Sequence, residues 1–399
     1  MTLTAEPLSI ERLSGGTLLE LLAPQPAPCL SLYMPTHRRV PDNTVDRPAF
    51  RHLVAAATAA LETAHPPARI DRLVRPLRLL EDDRDFWEHA RDGLAVLAAA
   101  GAARVFRLQR PVPSLAVVAE RFHTMPLLRL VAGRDRFELL AVTSREARIF
   151  EGTAWTDPQG TAVERLDPLI VGTAADGAIL RAEVVDEETL QPHRVQRGMG
   201  IEGVIHGGTG SKREDVDADT EIFLRHVDAT VHERVSRRSQ LPLALVAQPR
   251  LAALFRGLTN NPLLLEEHVS RDPHLMTADE LAAAVRPLVA AARGRWVARA
   301  VAAFRQARDR GRGQADLSDV ARAAVAGRVA TLLIESDRFE TGRFDRRTGA
   351  IAFLPPPAGG EDLFGAVAET VLLQGGTILA VGRNEMPSES GVAAIDRYA

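Results

Sequence analysis

Leu241-Pro-Leu-Ala-Leu-Val-Ala247 is a continuous apolar run of strand length. A strand covered on both faces reads this way, because neither face alternates with water. Such strands belong to parallel sheets with helices on both sides. The neighbouring sequence agrees. Upstream, Phe223, Val227, Val231 and Val235 recur every four residues, an apolar stripe that predicts a helix of about four or five turns. Downstream, Pro249 to Leu258 predicts a second helix, broken by Asn260-Asn-Pro262. Helix, strand and helix around a mostly parallel sheet make a three-layer α/β unit.

Ahead of the first helix lies Arg197-Gly-Met-Gly-Ile-Glu-Gly-Val-Ile-His-Gly-Gly-Thr-Gly-Ser-Lys-Arg213, where six of seventeen residues are glycine. Glycine tolerates positive φ and lets backbone approach a ligand, but weakens regular elements. The stretch therefore reads as a loop. Asp215, Asp217, Asp219 and Glu221 follow, acids suited to the first turns of a helix. The sequence thus predicts a basic, glycine-rich loop carried on a firmly packed helix. Lys212 is the only lysine in the chain; every other Lys/Arg position is arginine. Arginine presents a rigid fork and lysine a compact charge on a flexible stem, so a site needing the latter would keep Lys212.

At 399 residues, a prior of roughly 150 residues per domain gives two or three domains. Apolar residues make up 46% and charged residues 25%, ample for packed cores. A net charge of −3 provides no whole-protein field toward nucleic acid or membrane, so any RNA contact is a local patch. The single cysteine, Cys29, forms no internal disulfide and reads as a small buried hydrophobe. Met1 to Leu13 has no signal-peptide pattern, and arginines interrupt every apolar stretch before membrane-spanning length. A cytoplasmic protein is expected.

Residues 29–34 read as a buried strand, followed by the polar loop Thr36-His-Arg-Arg-Val-Pro-Asp42. His37 and its two arginines offer a phosphate site, against the plainer alternative of a solvated loop. Helical spacing covers Arg51–Glu62 and Ile70–Leu80. Leu94–Ala98 and Ala103–Arg107 form a hairpin about Gly101, and Leu115–Val118 adds a strand. A second hairpin joins Phe137–Val142 to Ala147–Phe150, and Thr153–Gly177 reads as irregular connection with short strands. Thr277-Ala-Asp-Glu280 is a capping box for a long helix. From Arg286 to Arg312 that segment carries eight arginines, among them Arg295 and Arg299, against one acid, Asp309. These arginines are candidate contacts for RNA phosphates; the plainer reading is a solvated helix face. Then come helix Leu317–Val325, strand Val329–Glu335, hairpin Arg343–Leu354, helix Asp362–Gln374 and strand Thr377–Val381. Domains are expected at 1–135, 136–276 (with the glycine-rich loop 198–213) and 277–399, the last an α/β/α unit.

Three patterns approach a known chemistry in the central loop. Gly198-Met-Gly-Ile-Glu-Gly203 matches the dinucleotide fingerprint letter for letter, but polar residues precede it and more loop follows. Gly207-Gly-Thr-Gly-Ser-Lys212 lacks the Gly-Lys pair of a P-loop. Asp215, Asp217, Asp219 and Glu221 alternate like calcium ligands, but Thr220 stands where an EF-hand needs glycine and His226 where it needs glutamate. No His/Cys group has zinc spacing, so neither metal nor cofactor is predicted. What survives is an anion site, built from successive backbone N–H groups leading into a helix N-terminus. Its candidate residues are His206, Gly207, Gly208, Thr209, Gly210, Ser211, Lys212 and Arg213. The alternative is a surface loop that binds nothing.

The order of several short motifs then becomes informative. These are Leu32-Tyr-Met-Pro-Thr-His-Arg38, Asp92-Gly-Leu-Ala95, Arg104-Val-Phe-Arg107, Arg121-Phe-His-Thr-Met-Pro-Leu127, Leu140-Ala-Val-Thr143 and Arg148-Ile-Phe-Glu-Gly152. Gly327-Arg-Val-Ala-Thr-Leu332, Gly375-Gly-Thr377 and Ala393-Ala-Ile-Asp-Arg-Tyr398 continue the series. In this order the chain resembles, end to end, the bacterial relatives of archaeo-eukaryotic class-one peptide-chain release factors and of the ribosome-rescue factor Pelota. The resemblance implies three α/β domains. The middle one is ribonuclease-H-like and the last is similar to kink-turn-binding ribosomal proteins. It also implies the ribosome as partner, with its rRNA and tRNA site, and raises a translational GTPase as a further one.

In those release factors a Gly-Gly-Gln loop precedes a long helix in the middle domain, and its glutamine positions the water that releases the peptide. Here Gly207-Gly208 is followed by Thr209, whose hydroxyl does not reach as far. No stop-codon-reading Asn-Ile-Lys-Ser loop occurs in the first domain either. The expectation is a ribosome-associated factor of rescue, hibernation or quality control that occupies the A-site region without efficient peptidyl-tRNA hydrolysis. The alternatives are a peptidyl-tRNA or RNA hydrolase using the loop, and a nucleotide- or anion-binding regulator.

Overall fold

The structure, a computed structural model, describes residues 8–133, 135–156, 162–169, 179–181, 211–354 and 360–398. It divides into two compact units, residues 1–134 with 295–399, and residues 135–294.

The first unit opens with β1 (Leu8–Glu11), α1 (Gly15–Leu22), β2 (Cys29–Pro35), α2 (Asp46–Glu62), α3 (Pro67–Asp82) and α4 (Arg84–Glu88). Next come β3 (Gly93–Ala99), β4 (Ala102–Leu108), β5 (Leu115–Ala119) and α5 (Met125–Ala132). The sheet order is β1-β4-β3-β2-β5. The expected β3–β4 hairpin is present, closed by Ala100 and Gly101, both at positive φ, as a type I′ turn requires. Side chains alternate across β2. Leu30, Leu32 and Met34 pack under Phe50 and Val54 of α2 and Leu73 and Leu77 of α3, while Cys29 and Tyr33 face the opposite side. Cys29 is fully buried, as its setting predicts. The sequence reading missed β1, α1, α4 and α5.

The second unit contains β6 (Arg136–Val142), β7 (Glu146–Thr156), β8 (Ala162–Pro168), β9 (Ile179–Arg181) and α6 (Ser211–Val231). It continues with β10 (Leu243–Ala247), α7 (Pro249–Leu258), β11 (Val269–Ser270) and the first part of α8 (Ala278–Asp309). The strand order is β11-β10-β6-β7-β8, with β9 also on β7. The decisive apolar run behaves as expected. All of β10 is buried and it pairs in parallel with β6 and β11. Leu243, Leu245 and Ala247 meet Phe223, Val227 and Phe255 of α6 and α7, and Ala244 and Val246 meet Leu281 and Val285 of α8.

The sheet as a whole corrects the expectation of a mostly parallel one: β6–β7, β7–β8 and β7–β9 are antiparallel. A tight turn forces the reversal. The Thr143 N–H donates to the Glu146 carbonyl at 2.8 Å, and the Thr143 hydroxyl accepts the Glu146 N–H at 2.9 Å. Within 153–177, the seven-residue β8 is one of the short strands expected there. Thr277 and Glu280 form the predicted capping box, with the Thr277 N–H donating to Glu280 Oε2 at 2.8 Å.

The first unit resumes after α8 with β12 (Gly313–Gln314), α9 (Leu317–Val325), β13 (Val329–Glu335), β14 (Thr341–Phe344) and β15 (Ile351–Phe353). It ends with β16 (Glu361–Asp362), α10 (Leu363–Leu373), β17 (Thr377–Val381) and β18 (Val392–Asp396). Its four-stranded sheet has the order β12-β18-β13-β17. Val297 and Phe304 of α8 cover one face, at Leu333, Leu379 and Ala393, while α9 and α10 cover the other, at Leu332, Ile334 and Ala380. Helix, sheet and helix form the expected three layers.

Candidate functional site

The helix that follows the glycine-rich stretch is firmly held. Phe223, Leu224, Val227 and Val231 of α6 are each at most 1% exposed. The Asp228 carboxylate accepts the Thr259 hydroxyl and, at 3.5 Å, the Asn260 N–H. Beyond α6 the backbone widens into a π-turn over His232–Ser236. It brings the Ser236 hydroxyl to the fully buried Glu138 carboxylate at 3.0 Å, and the Asn261 side-chain amide donates to the same hydroxyl at 3.0 Å.

At the other end, α6 begins at Ser211. Ser211, Lys212 and Arg213 therefore lie in its first turn, which corrects their reading as loop. None of the three breaks helices, and the acids that follow complement the helix dipole. Lys212 and Arg213 stand where the first N–H groups of a 21-residue helix lack intrahelical partners, a position suited to an anion. His206, Gly207, Gly208, Thr209 and Gly210 lie outside the described residues, as does the dinucleotide-like Gly198–Gly203.

Arg295 and Arg299 are exposed and one helical turn apart on α8. Val297, Phe304 and Ala307 face the core from the opposite side of the helix. Arg305 and Arg308 are also exposed, turned about 80° and 140° from Arg295 at 3.6 residues per turn, so the second part of α8 carries a comb of guanidinium groups in which Arg295 and Arg299 share a face.

The His37 loop, by contrast, spends its charge internally. Asp46, buried, accepts both the His37 ring Nδ1 and the His37 N–H at 2.7 Å, and Arg38 pairs with Asp92 at 2.6 Å. Arg39, the second arginine of the loop, is exposed.

A buried polar cluster between α5 and α10 was not read from the sequence. The Thr124 hydroxyl donates to Glu369 Oε1, Arg129 lies 3.6 Å from Asp362, and Arg346 pairs with Glu361 at 2.6 Å and lies 3.7 Å from Glu369. Burial pushes the Glu369 and Asp362 carboxyls above their ordinary values, against the pull of Thr124 and Arg346 on Glu369 and of Arg129 on Asp362. Burial, aided by Arg129, lowers His123. Glu369 was legible in principle, as the one charged residue of an otherwise largely apolar helix. Among the described residues no group of three or more His, Cys, Asp or Glu side chains is placed to hold a metal ion, and no helix is long and apolar enough to cross a membrane.

The class this defines is a mixed α/β chain whose second unit heads a long, well-anchored helix with a glycine-rich segment. Residues 136–328 match the model of bacterial archaeo-eukaryotic release factor family 3. Over those residues the chain is similar to this bacterial archaeo-eukaryotic release-factor family. Among solved structures it is similar to an archaeal translation termination factor, aRF1, with 17% identity, 97% of this chain and 99% of that one covered, and a TM-score of 0.26. Ribosome-bound archaeal Pelota, in a model with ABCE1, matches at 12% identity over 97% and 95% of the two chains, with a TM-score of 0.38. Dom34 of S. cerevisiae, a translation termination-like factor, matches at 11% identity over 77% and 74%, with a TM-score of 0.37. Comparison with curated proteins yields no match.

Proposed function

We propose that the protein is a cytoplasmic, ribosome-associated factor that occupies the A-site region during rescue, hibernation or translation quality control, without efficient peptidyl-tRNA hydrolysis. The observation that carries the reading is the family match over 136–328 combined with Thr209 after Gly207-Gly208. Release by the class-one release factors that the chain resembles needs a glutamine at that place. Lys212, Arg213, Arg295 and Arg299 serve as RNA contacts in this reading, and a translational GTPase is its candidate delivery partner. The order β8-β7-β6-β10-β11, antiparallel at one end and parallel at the other, supports a ribonuclease-H-like middle domain. The three layers about β13 support a last domain similar to the kink-turn-binding proteins.

Co-sedimentation with ribosomes across a salt series tests the proposal. Binding is expected to weaken with salt, and to weaken further in Lys212→Ala and in a deletion of Gly207–Gly210, which stops short of α6. Unchanged sedimentation in both variants removes the loop from the account. Turnover of peptidyl-tRNA by the purified protein replaces a non-catalytic factor with a hydrolase.

A further inference from the structure

β13 and β17 run parallel and end side by side at Glu335 and Val381. Outside their carboxyl ends lies a cavity of about 740 Å³, floored by Glu335 and Arg338 and walled by the segment that follows β17. That size falls in the range of small-molecule sites, and the carboxyl ends of parallel strands are where open α/β sheets hold ligands.

The walls are pinned from several directions. The Glu335 N–H donates to the Gly391 carbonyl at 2.9 Å, Arg338 Nη1 donates to the Glu389 carbonyl at 2.6 Å, and the Gly382 N–H donates to Glu385 Oε2 at 3.0 Å. Gly391, at φ +80°, lets Arg338 pass, since a Cβ there would meet Arg338 Cδ at 2.6 Å. Ser388 donates its hydroxyl to the Val392 carbonyl at 2.5 Å. A rigid pocket of this kind loses little entropy on binding.

The charges divide into committed and uncommitted ones. Arg338 is neutralised by Glu335 at 3.7 Å and Glu340 at 3.8 Å. Arg383 and the Glu389 carboxylate also border the cavity, both residues are exposed, and neither side chain has a partner among the described residues. One free guanidinium fork and one free carboxylate, with Met386 and Pro387 as the apolar wall, form a site of two opposite signs.

We propose that this cavity binds a small molecule carrying an anionic group, taken by Arg383, and an N–H-donating end, taken by Glu389. Two sources share that chemistry: a purine nucleoside monophosphate, by phosphate and exocyclic amine, and a short peptide, by carboxylate and ammonium. The site is independent of the ribosomal reading above.

Calorimetric titration of the full chain with guanosine monophosphate and, separately, with glycylglycine tests the proposal. At least one is expected to bind saturably, and the one that binds identifies the source. Arg383→Ala and Glu389→Gln are each expected to weaken that binding by about tenfold or more, the effect of losing a charge-assisted hydrogen bond. Both variants should melt with the parent, since neither side chain has a partner to lose among the described residues. No saturable heat with either compound up to about 10 mM, or an affinity unchanged in either variant, overturns it.

Discussion

Glu369 is a carboxylate in an apolar helix, and its nearest donor, the Thr124 hydroxyl, comes from 245 residues away. Removing that donor leaves a buried acceptor unsatisfied, which costs about 1–3 kcal/mol. Thr124→Val is therefore expected to cost roughly 2 kcal/mol of stability, read as a lower urea midpoint with an unchanged m-value. Glu369 also sets a pH dependence. Burial raises its folded-state pKa above the ordinary 4.5, and raises Asp362 above 3.8. Just above those ordinary values the folded chain keeps protons that the unfolded chain has released, so these groups' contribution is full below them and falls as pH rises through the folded pKa. Glu369→Gln keeps an acceptor for Thr124 and cannot titrate, so its stability relative to the parent should grow from pH 4.5 toward pH 7. Parallel denaturation curves at the two ends would count against a titrating Glu369. The sequence showed an isolated acid among Leu363–Leu373; it held no sign that Thr124 and Arg346 were its partners, because those contacts are made by tertiary packing.

At the level of elements, legibility followed burial pattern. Leu317–Val325, Val329–Glu335 and Thr377–Val381 were read with their observed bounds, since the helix repeats against one core and the two strands are apolar on both faces, between two cores. The parallel pairing of β10 was legible because both its faces are apolar. The reversal at β6–β7 was not carried into the sheet type, because strand direction lives in a turn and not in an apolar run. β1, α1 and α5 escaped because each runs only four to eight residues, too short for a period to show. At the glycine-rich site the sequence named candidates that the structure places only in part, Ser211–Arg213 heading α6. Two substitutions separate anchoring from binding. Phe223→Ala empties a core position that is 1% exposed and is expected to cost about 3–5 kcal/mol by denaturant melt. Arg295→Glu with Arg299→Glu changes only exposed positions and should shift stability by no more than about 0.5 kcal/mol each. The same pair should lower ribosome affinity and flatten its logarithmic salt dependence by roughly two units; an unaltered salt slope would leave the comb a solvated face.

Across the whole molecule, the first unit draws on both ends of the chain. Leu18, Tyr33, Phe106, Leu127 and Leu128 of the early elements share one apolar cluster with Leu317, Phe364, Val367 and Ile378 of the late ones. α10 comes so near α5 that a Cβ on Gly365 would lie 2.9 Å from Met125 Sδ. Arg129 donates to the Arg338 carbonyl at 2.8 Å beside them. A division at residue 135 would make the early segment a domain able to fold by itself, whereas a continuous cluster makes its outer apolar face depend on α9 and α10. The two differ in what an excised fragment 1–134 does. Several large side chains at about 1.5–3 kcal/mol each lose cover in the fragment, so it should be less stable than the same residues in the full chain by roughly 3 kcal/mol or more. It should also bind a hydrophobic dye that the full chain excludes. Hydrogen exchange of the β2–β3 amides, followed in both, reads the difference directly: equal protection would establish residues 1–134 as a separate domain, and faster exchange in the fragment would assign the shared cluster to its stability.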